Sequence, residues 1–164
     1  MDPLSNTVLS GIAATAIADL WTLARRQLFG TPLPNYGLVG RWIAHMTRGQ
    51  FRHASIAAAP AARGEGVIGW ATHCLVGIMF ALLLLAVAGG EWFARPTPMP
   101  ALLVGFATVA APFFVMQPAM GAGIAASRTP RPAAARLQSL VFHGFFGLGL
   151  YAGALIAHSL LEGA

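Results

Sequence analysis

Four polar side chains interrupt four apolar stretches of this sequence: Asp19, His73, Gln117 and His143. Asp19 precedes Arg25 by six residues, and the two histidines each lie six residues after the start of an apolar stretch. At 1.5 Å per helical residue, these three side chains are predicted about 9 Å inside the same face of a membrane, with Gln117 at a similar depth. An ionisable side chain within a membrane helix is a candidate functional site, so the sequence predicts one site with four contributors.

A carboxyl group and two imidazoles at one depth could bind a metal ion or exchange a proton. The neutral imidazole, which an apolar surrounding favours, is the form that ligates metals. We therefore expect a cation to bind or cross at this site, with Asp19, His73 and His143 as the metal ligands. One alternative is a redox subunit with haem between His73 and His143. Another is a non-catalytic accessory or scaffold subunit, in which the polar residues only join the helices by hydrogen bonds.

The elements that carry these residues are predicted to be membrane helices. Of the 164 residues 57% are hydrophobic and only 9% are charged, against about a quarter charged in soluble domains. The stretch 67–88 contains no charged residue and is long enough to cross a bilayer core of about 30 Å. The predicted fold is an all-α, four-helix transmembrane bundle forming a single domain, 1–164. Its helices are expected at about 6–23, 67–88, 101–120 and 137–161.

Small residues share helix faces with the polar side chains. Gly69 and Gly77 lie at four-residue spacing from His73. Such spacing marks the contact faces of membrane helices, so the polar groups are expected to face the bundle interior. Gly149 and Gly153 form a GxxxG pair in the last helix, and this pair predicts self-association as a homodimer.

The loop between the first two helices is predicted to contain an interfacial amphipathic helix over 37–59. Its residues Arg41, Arg48 and Arg52 recur at helical spacing as a basic stripe, with His45 between them. Such a stripe is typical of a helix that lies on anionic lipid. The alternative is that His45 and His53 fold back toward the bundle and contribute to the cation site from the cytoplasmic side.

The distribution of arginines predicts the orientation of the chain. Nine of the ten basic residues lie in the loops after the first and third helices, and Arg95 alone lies in the loop after the second. The positive-inside rule puts the two arginine-rich loops in the cytoplasm and both termini on the periplasmic side of an inner membrane. This placement explains the net charge of +5 without nucleic-acid binding, which requires a basic face on a soluble module.

Motifs for covalent or nucleotide chemistry are missing from the sequence. It contains no GxSxG, Walker, CxxC or HExxH pattern, each of which would indicate a specific reaction or cofactor. The sequence therefore favours a protein that is not an enzyme.

Several short motifs resemble those of a known family. They are Ala18-Asp19-Leu20-Trp21, Gly40-Arg41-Trp42 with His45, Gly69-Trp70 with His73, Met116-Gln117-Pro118-Ala119-Met120-Gly121 and His143-Gly144-Phe145-Phe146-Gly147-Leu148-Gly149-Leu150-Tyr151. Together they span nearly the whole chain and resemble a bacterial family of small four-helix inner-membrane proteins, classed as a domain of unknown function. The resemblance implies the fold and the membrane location, and it implies no activity.

Overall fold

Helices long enough to cross a membrane dominate the protein. The computed structural model describes the backbone of residues 3–162 and the side chains of residues 4–159, and there is no β-strand in this part of the chain. The helices are α1 (Pro3–Phe29), α2 (Tyr36–Met46), α3 (Glu65–Ala88), α4 (Pro98–Ala107), α5 (Gln117–Met120) and α6 (Pro132–Glu162). The four stretches that meet the length and hydropathy of a membrane span are Leu4–Phe29, Glu65–Ala88, Pro98–Met120 and Pro132–Ser159. The predicted all-α fold with four membrane-spanning helices is confirmed.

Contacts within the chain divide it into two compact units. The first unit consists of Met1–Leu33, Cys74–Thr108 and Val141–Ala164, and the second of Pro34–His73 and Val109–Leu140. The first unit therefore holds α1, most of α3, α4 and most of α6. The second holds α2, the long loop that follows it, the start of α3 and the end of the third span.

Two spans extend further than the hydropathy pattern predicts. Arg25 and Arg26 do not end α1, which continues to Phe29 and stops where Gly30 takes a left-handed φ of 63°. Arginine is a good helix former, so a change from apolar to basic residues ends the apolar stretch without ending the helix. At the other end of the chain, α6 begins at Pro132, because proline is well suited to the first turn of a helix.

The third span is irregular in its middle. The α-helix α4 stops at Ala107, and a π-helical segment, Pro112–Met116, leads into α5. Proline has no N–H to continue the ladder of hydrogen bonds, and a π-turn is one of the ways in which a helix accommodates this loss. The irregularity at Pro112 thus takes the form of a wider turn.

Close packing of small residues holds the first unit together. A Cβ atom on Gly149 would lie 2.5 Å from the Cα of Ala14, and one on Gly153 would lie 2.7 Å from the Cα of Ser10. Both glycines of the GxxxG pair are therefore used for contact with α1 of the same chain. The surface from which self-association was inferred is thus in contact with another helix of the same chain. The homodimer itself stays a prediction and would need another surface.

In the second unit, α2 is a short helix that is docked onto the start of α3. A Cβ on Gly40 would lie 1.8 Å from the carbonyl oxygen of Glu65, and one on Gly69 would lie 1.8 Å from that of Tyr36. No side chain larger than a hydrogen atom fits at either position. The two backbones approach this closely because both helices present glycine at the crossing.

The prediction of a helix over 37–59 is wrong beyond Met46. The chain turns at Thr47–Gly49, where Gly49 has a φ of 78°, and irregular backbone follows as far as the start of α3. This loop is fastened to the end of the third span by two hydrogen bonds. The N–H of His53 donates to the carbonyl of Ala119 at 2.8 Å, and the N–H of Ile56 donates to that of Met120 at 3.0 Å. These contacts between distant segments outweigh the local helical periodicity.

Candidate cation site

Two histidines in the second unit form a hydrogen-bonded pair. The Nδ1 atom of His45 lies 2.9 Å from the Nε2 atom of His53, and the Nε2 atom of His45 lies 3.1 Å from the carbonyl oxygen of Pro60. His45 is on the last turn of α2 and is 4% exposed, whereas His53 is in the loop. The histidines therefore reach one another only because α2 ends where it does and the loop turns back.

Hydrogen-bond chemistry fixes the tautomers of a neutral pair. The carbonyl of Pro60 can only accept, so Nε2 of His45 carries the proton and its Nδ1 accepts from Nε2–H of His53. The remaining nitrogen, Nδ1 of His53, then has a lone pair. This atom is buried and has no hydrogen-bond partner among the described residues. Buried polar atoms are nearly always paired, so this lone pair needs a donor or a cation that the described chain does not supply.

An arginine on α2 organises the loop around the pair. The Nε and Nη2 atoms of Arg41 each donate to the Glu65 carboxylate at 2.8 Å. Its Nη1 atom donates to the carbonyls of Ile56, Ala57 and Ala59 at 2.9–3.2 Å. The hydrogen bond to Glu65 raises the pKa of Arg41 above its ordinary value. The guanidinium therefore stays charged and joins α2, the loop and the start of α3.

This arrangement corrects the predicted lipid-binding stripe. Arg41 is half-buried and faces its own loop, while Arg48 and Arg52 are exposed and lie beyond the end of α2. The three arginines do not share a helical face, because residues 47–59 are not helical. A basic helix lying along the membrane is therefore not the structure of this segment.

His73 lies at the edge of the second unit among aromatic rings. Its ring stacks on Tyr36 with centroids 4.2 Å apart and an angle of 20° between the planes. Trp70 contacts both rings edge-on, with centroids 4.6 Å from Tyr36 and 5.9 Å from His73. The stacking covers one face of the imidazole.

Gln117 supplies a second unpaired acceptor in the same unit. Its side-chain oxygen Oε1 is buried and has no hydrogen-bond partner among the described residues. In the described part of the second unit, the buried side-chain atoms that lack a partner are this oxygen and Nδ1 of His53. Both atoms are acceptors in the tautomers argued above, so both favour a ligand that donates a hydrogen bond or carries positive charge.

His143 is enclosed in the first unit. Its Nδ1 atom lies 2.9 Å from the hydroxyl oxygen of Thr108, and that hydroxyl donates to the carbonyl of Gly105 at 2.6 Å. Since the hydroxyl proton is used, the imidazole donates from Nδ1–H, and Nε2 carries the lone pair of the neutral ring. Phe80 and Phe146 lie with ring centroids 6.5 Å from the imidazole.

Asp19 belongs to the first unit together with His143. Its side chain is half-buried, and its backbone carbonyl accepts a hydrogen bond from the hydroxyl of Thr22 at 2.8 Å. His73 and Gln117 belong to the second unit. The convergence of all four residues at one site therefore stays a prediction. Within residues 3–162 there is no group of three or more histidine, cysteine or acidic residues arranged to hold a metal ion.

Three partners in these contacts were not singled out from the sequence. Thr108, Tyr36 and Glu65 each contact a candidate residue that is 24 to 37 positions away in the chain. Glu65 was recognisable only as an acidic residue at the start of an apolar stretch. Helical periodicity relates only residues that are close in the chain, so the sequence contained no signal for these three contacts.

The four apolar helices and the buried polar groups between them define a multi-pass α-helical membrane protein. Within that class, the chain belongs to the family described as a protein of unknown function, DUF2938, whose model matches residues 8–157. The match confirms the family inferred from the short motifs. No curated protein and no solved structure matches the chain.

Proposed function

We propose that this membrane protein binds and passes on a cation, either a proton or a transition-metal ion, and that the His45–His53 pair receives it. The observation that carries the proposal is the buried lone pair on Nδ1 of His53, which has no donor in the described chain. Imidazole nitrogen is a ligand for transition metals and a proton acceptor near neutral pH, so either cation suits this atom.

The hydrogen bonds of the pair also provide a route for a proton. A proton added at Nδ1 of His53 allows the proton on its Nε2 to move to Nδ1 of His45. His45 then carries the charge as an imidazolium, with its Nε2–H still hydrogen-bonded to the Pro60 carbonyl. This transfer breaks one N–H bond on His53 and forms one on His45, so the charge moves from one ring to the other while both rings remain in place. A bound metal ion would instead stop at Nδ1 of His53 and need further ligands.

The proposal also includes the polar residues within the membrane spans. In it, Asp19, His73, Gln117 and His143 are the polar residues within the spans that interact with the cation. The arginine count supports an orientation with the histidine pair on the cytoplasmic face of an inner membrane, where positively charged loops are retained. The half-burial of Asp19 supports its role as the carboxyl group that compensates a cation, since exposed carboxylates are solvated by water instead.

Reconstituted liposomes test the proposal. The full chain is purified in mild detergent, analysed for bound metals and reconstituted, and the uptake of protons and of Zn²⁺ is followed with enclosed fluorescent indicators. We expect His53→Gln and Asp19→Asn each to lower the flux of the transported cation by about tenfold or more. His158→Gln is the matched control, because it removes an imidazole from the opposite end of the last span.

Two results would overturn the cation proposal. The first is an unchanged flux in both His53→Gln and Asp19→Asn. The second is a wild-type chain that neither retains a metal nor conducts a proton above the level of empty liposomes. Thermal unfolding of each variant is measured in parallel, so that loss of the fold is not mistaken for loss of the site.

An accessory or scaffold subunit is the second candidate function. The hydrogen bond between Thr108 and His143 favours it, because this contact satisfies a buried imidazole without any ligand. The scaffold hypothesis predicts that substitutions of the polar set lower the unfolding temperature and change no flux. Haem between His73 and His143 has less support, since aromatic rings surround each imidazole. A purified chain without a Soret band after haem supplementation would exclude it.

A further inference from the structure

A groove of about 500 Å³ opens in the second unit, at a place separate from the histidine pair. Its walls are apolar: Leu38 and Ile56 line one part, and Met116 and Met120 line another. Four polar side chains also line it: Ser55, Gln117, Arg128 and Thr129. The groove is open to its surroundings, and its volume is within the range of ligand-binding sites.

Two of these side chains, Gln117 and Arg128, carry polar atoms that have no partner in the described chain. Oε1 of Gln117 is buried and has no partner, as described above. Arg128 is exposed, and its guanidinium has no hydrogen bond or ion pair with the described chain. Its backbone, by contrast, is anchored, because the N–H of Arg128 donates to the carbonyl of Ala122 at 2.8 Å. The backbone of Arg128 is therefore held in place by the loop, while its guanidinium is exposed and unpaired.

Several residues that line the groove belong to the end of a predicted membrane span. Met116, Gln117 and Met120 lie at the end of the stretch Pro98–Met120, which has the length and hydropathy of a membrane span, so the groove lies at the end of that stretch. There is no acidic residue among those that line it. Anionic lipids are attracted to such basic, juxtamembrane positions.

We propose that this groove binds an anionic phospholipid. The phosphodiester pairs with the guanidinium of Arg128, a hydroxyl of the head group donates to Oε1 of Gln117, and an acyl chain covers Met116 and Leu38. The charge complementarity with Arg128 selects an anionic head group, and the apolar walls select a lipid over a soluble phosphate. No member of the histidine pair lines the groove, but Gln117 is shared with the proposed cation function, so the test of the lipid assignment relies on Arg128 and Ser55.

Native mass spectrometry of the full chain in detergent tests the assignment. Phosphatidylglycerol and phosphatidylcholine with identical acyl chains are the probes. We expect phosphatidylglycerol to be retained about tenfold more than phosphatidylcholine, and Arg128→Gln to remove this preference, since one charge-assisted contact accounts for about that factor. Arg131→Gln is the matched control, because Arg131 is exposed in the same loop and does not line the groove.

A second variant keeps the test decisive if Arg128→Gln folds poorly. Ser55 is exposed and lines the groove, so Ser55→Trp is expected to fill it and to lower lipid retention without lowering the unfolding temperature. Equal retention of the two lipids, or equal effects of Arg128→Gln and Arg131→Gln, would overturn the assignment. Displacement of the lipid by soluble glycerol phosphate would also overturn it, since the ligand would then be a soluble anion.

Discussion

The Nε2 atom of His53 lies 2.9 Å from the Nδ1 atom of His45, and this contact joins the end of α2 to the loop that follows it. The pair leaves one buried imidazole nitrogen without a partner. A chain whose described part is otherwise mostly apolar helix thus contains an unsatisfied acceptor beside its arginine-rich loop. This acceptor is what directs the functional proposal to a cation.

The crossing of α2 and α3 should tolerate no side chain at its centre. We expect Gly69→Ala to lower the free energy of unfolding by about 1–3 kcal/mol, because the new Cβ would overlap the backbone carbonyl of Tyr36. Gly66→Ala, three residues earlier in the same helix, has open space and should raise it by up to about 1 kcal/mol. Thermal unfolding in one detergent compares the two variants. Equal effects of the two substitutions would show that the helices do not cross here.

The guanidinium of Arg41 should not be replaceable by an ammonium group. Arg41→Lys keeps the charge but cannot contact both the Glu65 carboxylate and three backbone carbonyls, since lysine has a single donor nitrogen. We expect the unfolding temperature to fall by about 5 °C. Arg48→Lys, at an exposed position, is the control and should leave it unchanged. If both variants unfold at the same temperature, Arg41 does not organise the loop.

The hydrogen bond between Thr108 and His143 should be measurable through two substitutions of the threonine. Thr108→Val removes the acceptor and leaves Nδ1–H of the buried imidazole unpaired, which should cost about 1–2 kcal/mol of unfolding free energy. Thr108→Ser keeps the hydroxyl and should retain most of that stability. Unfolding monitored by tryptophan fluorescence compares the variants. A valine variant as stable as the wild type would show that this hydrogen bond does not stabilise the protein.

The membrane orientation of the chain, predicted from the arginine count, can be tested by cysteine labelling. In a Cys74→Ser background, Ala58→Cys and Ala94→Cys introduce single thiols at exposed positions in the first and second loops. We expect a membrane-impermeant maleimide to label Ala94→Cys in bacterial spheroplasts, and to label Ala58→Cys only after permeabilisation. The reverse pattern would show that the arginine-rich loops are outside, and it would move the histidine pair to that side.

The extent of the spans was only partly predictable from hydropathy. The second span was expected at 67–88 and is observed as Glu65–Ala88, because its apolar run and its helix end together. α1 and α6 extend past their apolar runs, since arginine and alanine continue a helix as readily as apolar residues do. The segment 37–59 is not one helix, because the chain turns at Gly49 and the loop that follows forms backbone hydrogen bonds with Ala119 and Met120.

The sequence by itself determined that this is a membrane protein with four spans, because the free energy of entering a bilayer is a sum over consecutive residues. It also identified Asp19, His73, Gln117 and His143 as polar groups within the predicted spans, and His45 and His53 as possible contributors from the loop. Only the tertiary structure decided which partners they have. Arg41 and Glu65 are separated by 24 residues and Thr108 and His143 by 35. Contacts over such separations depend on where each loop turns and on which glycines let helices approach, and local periodicity does not contain that information.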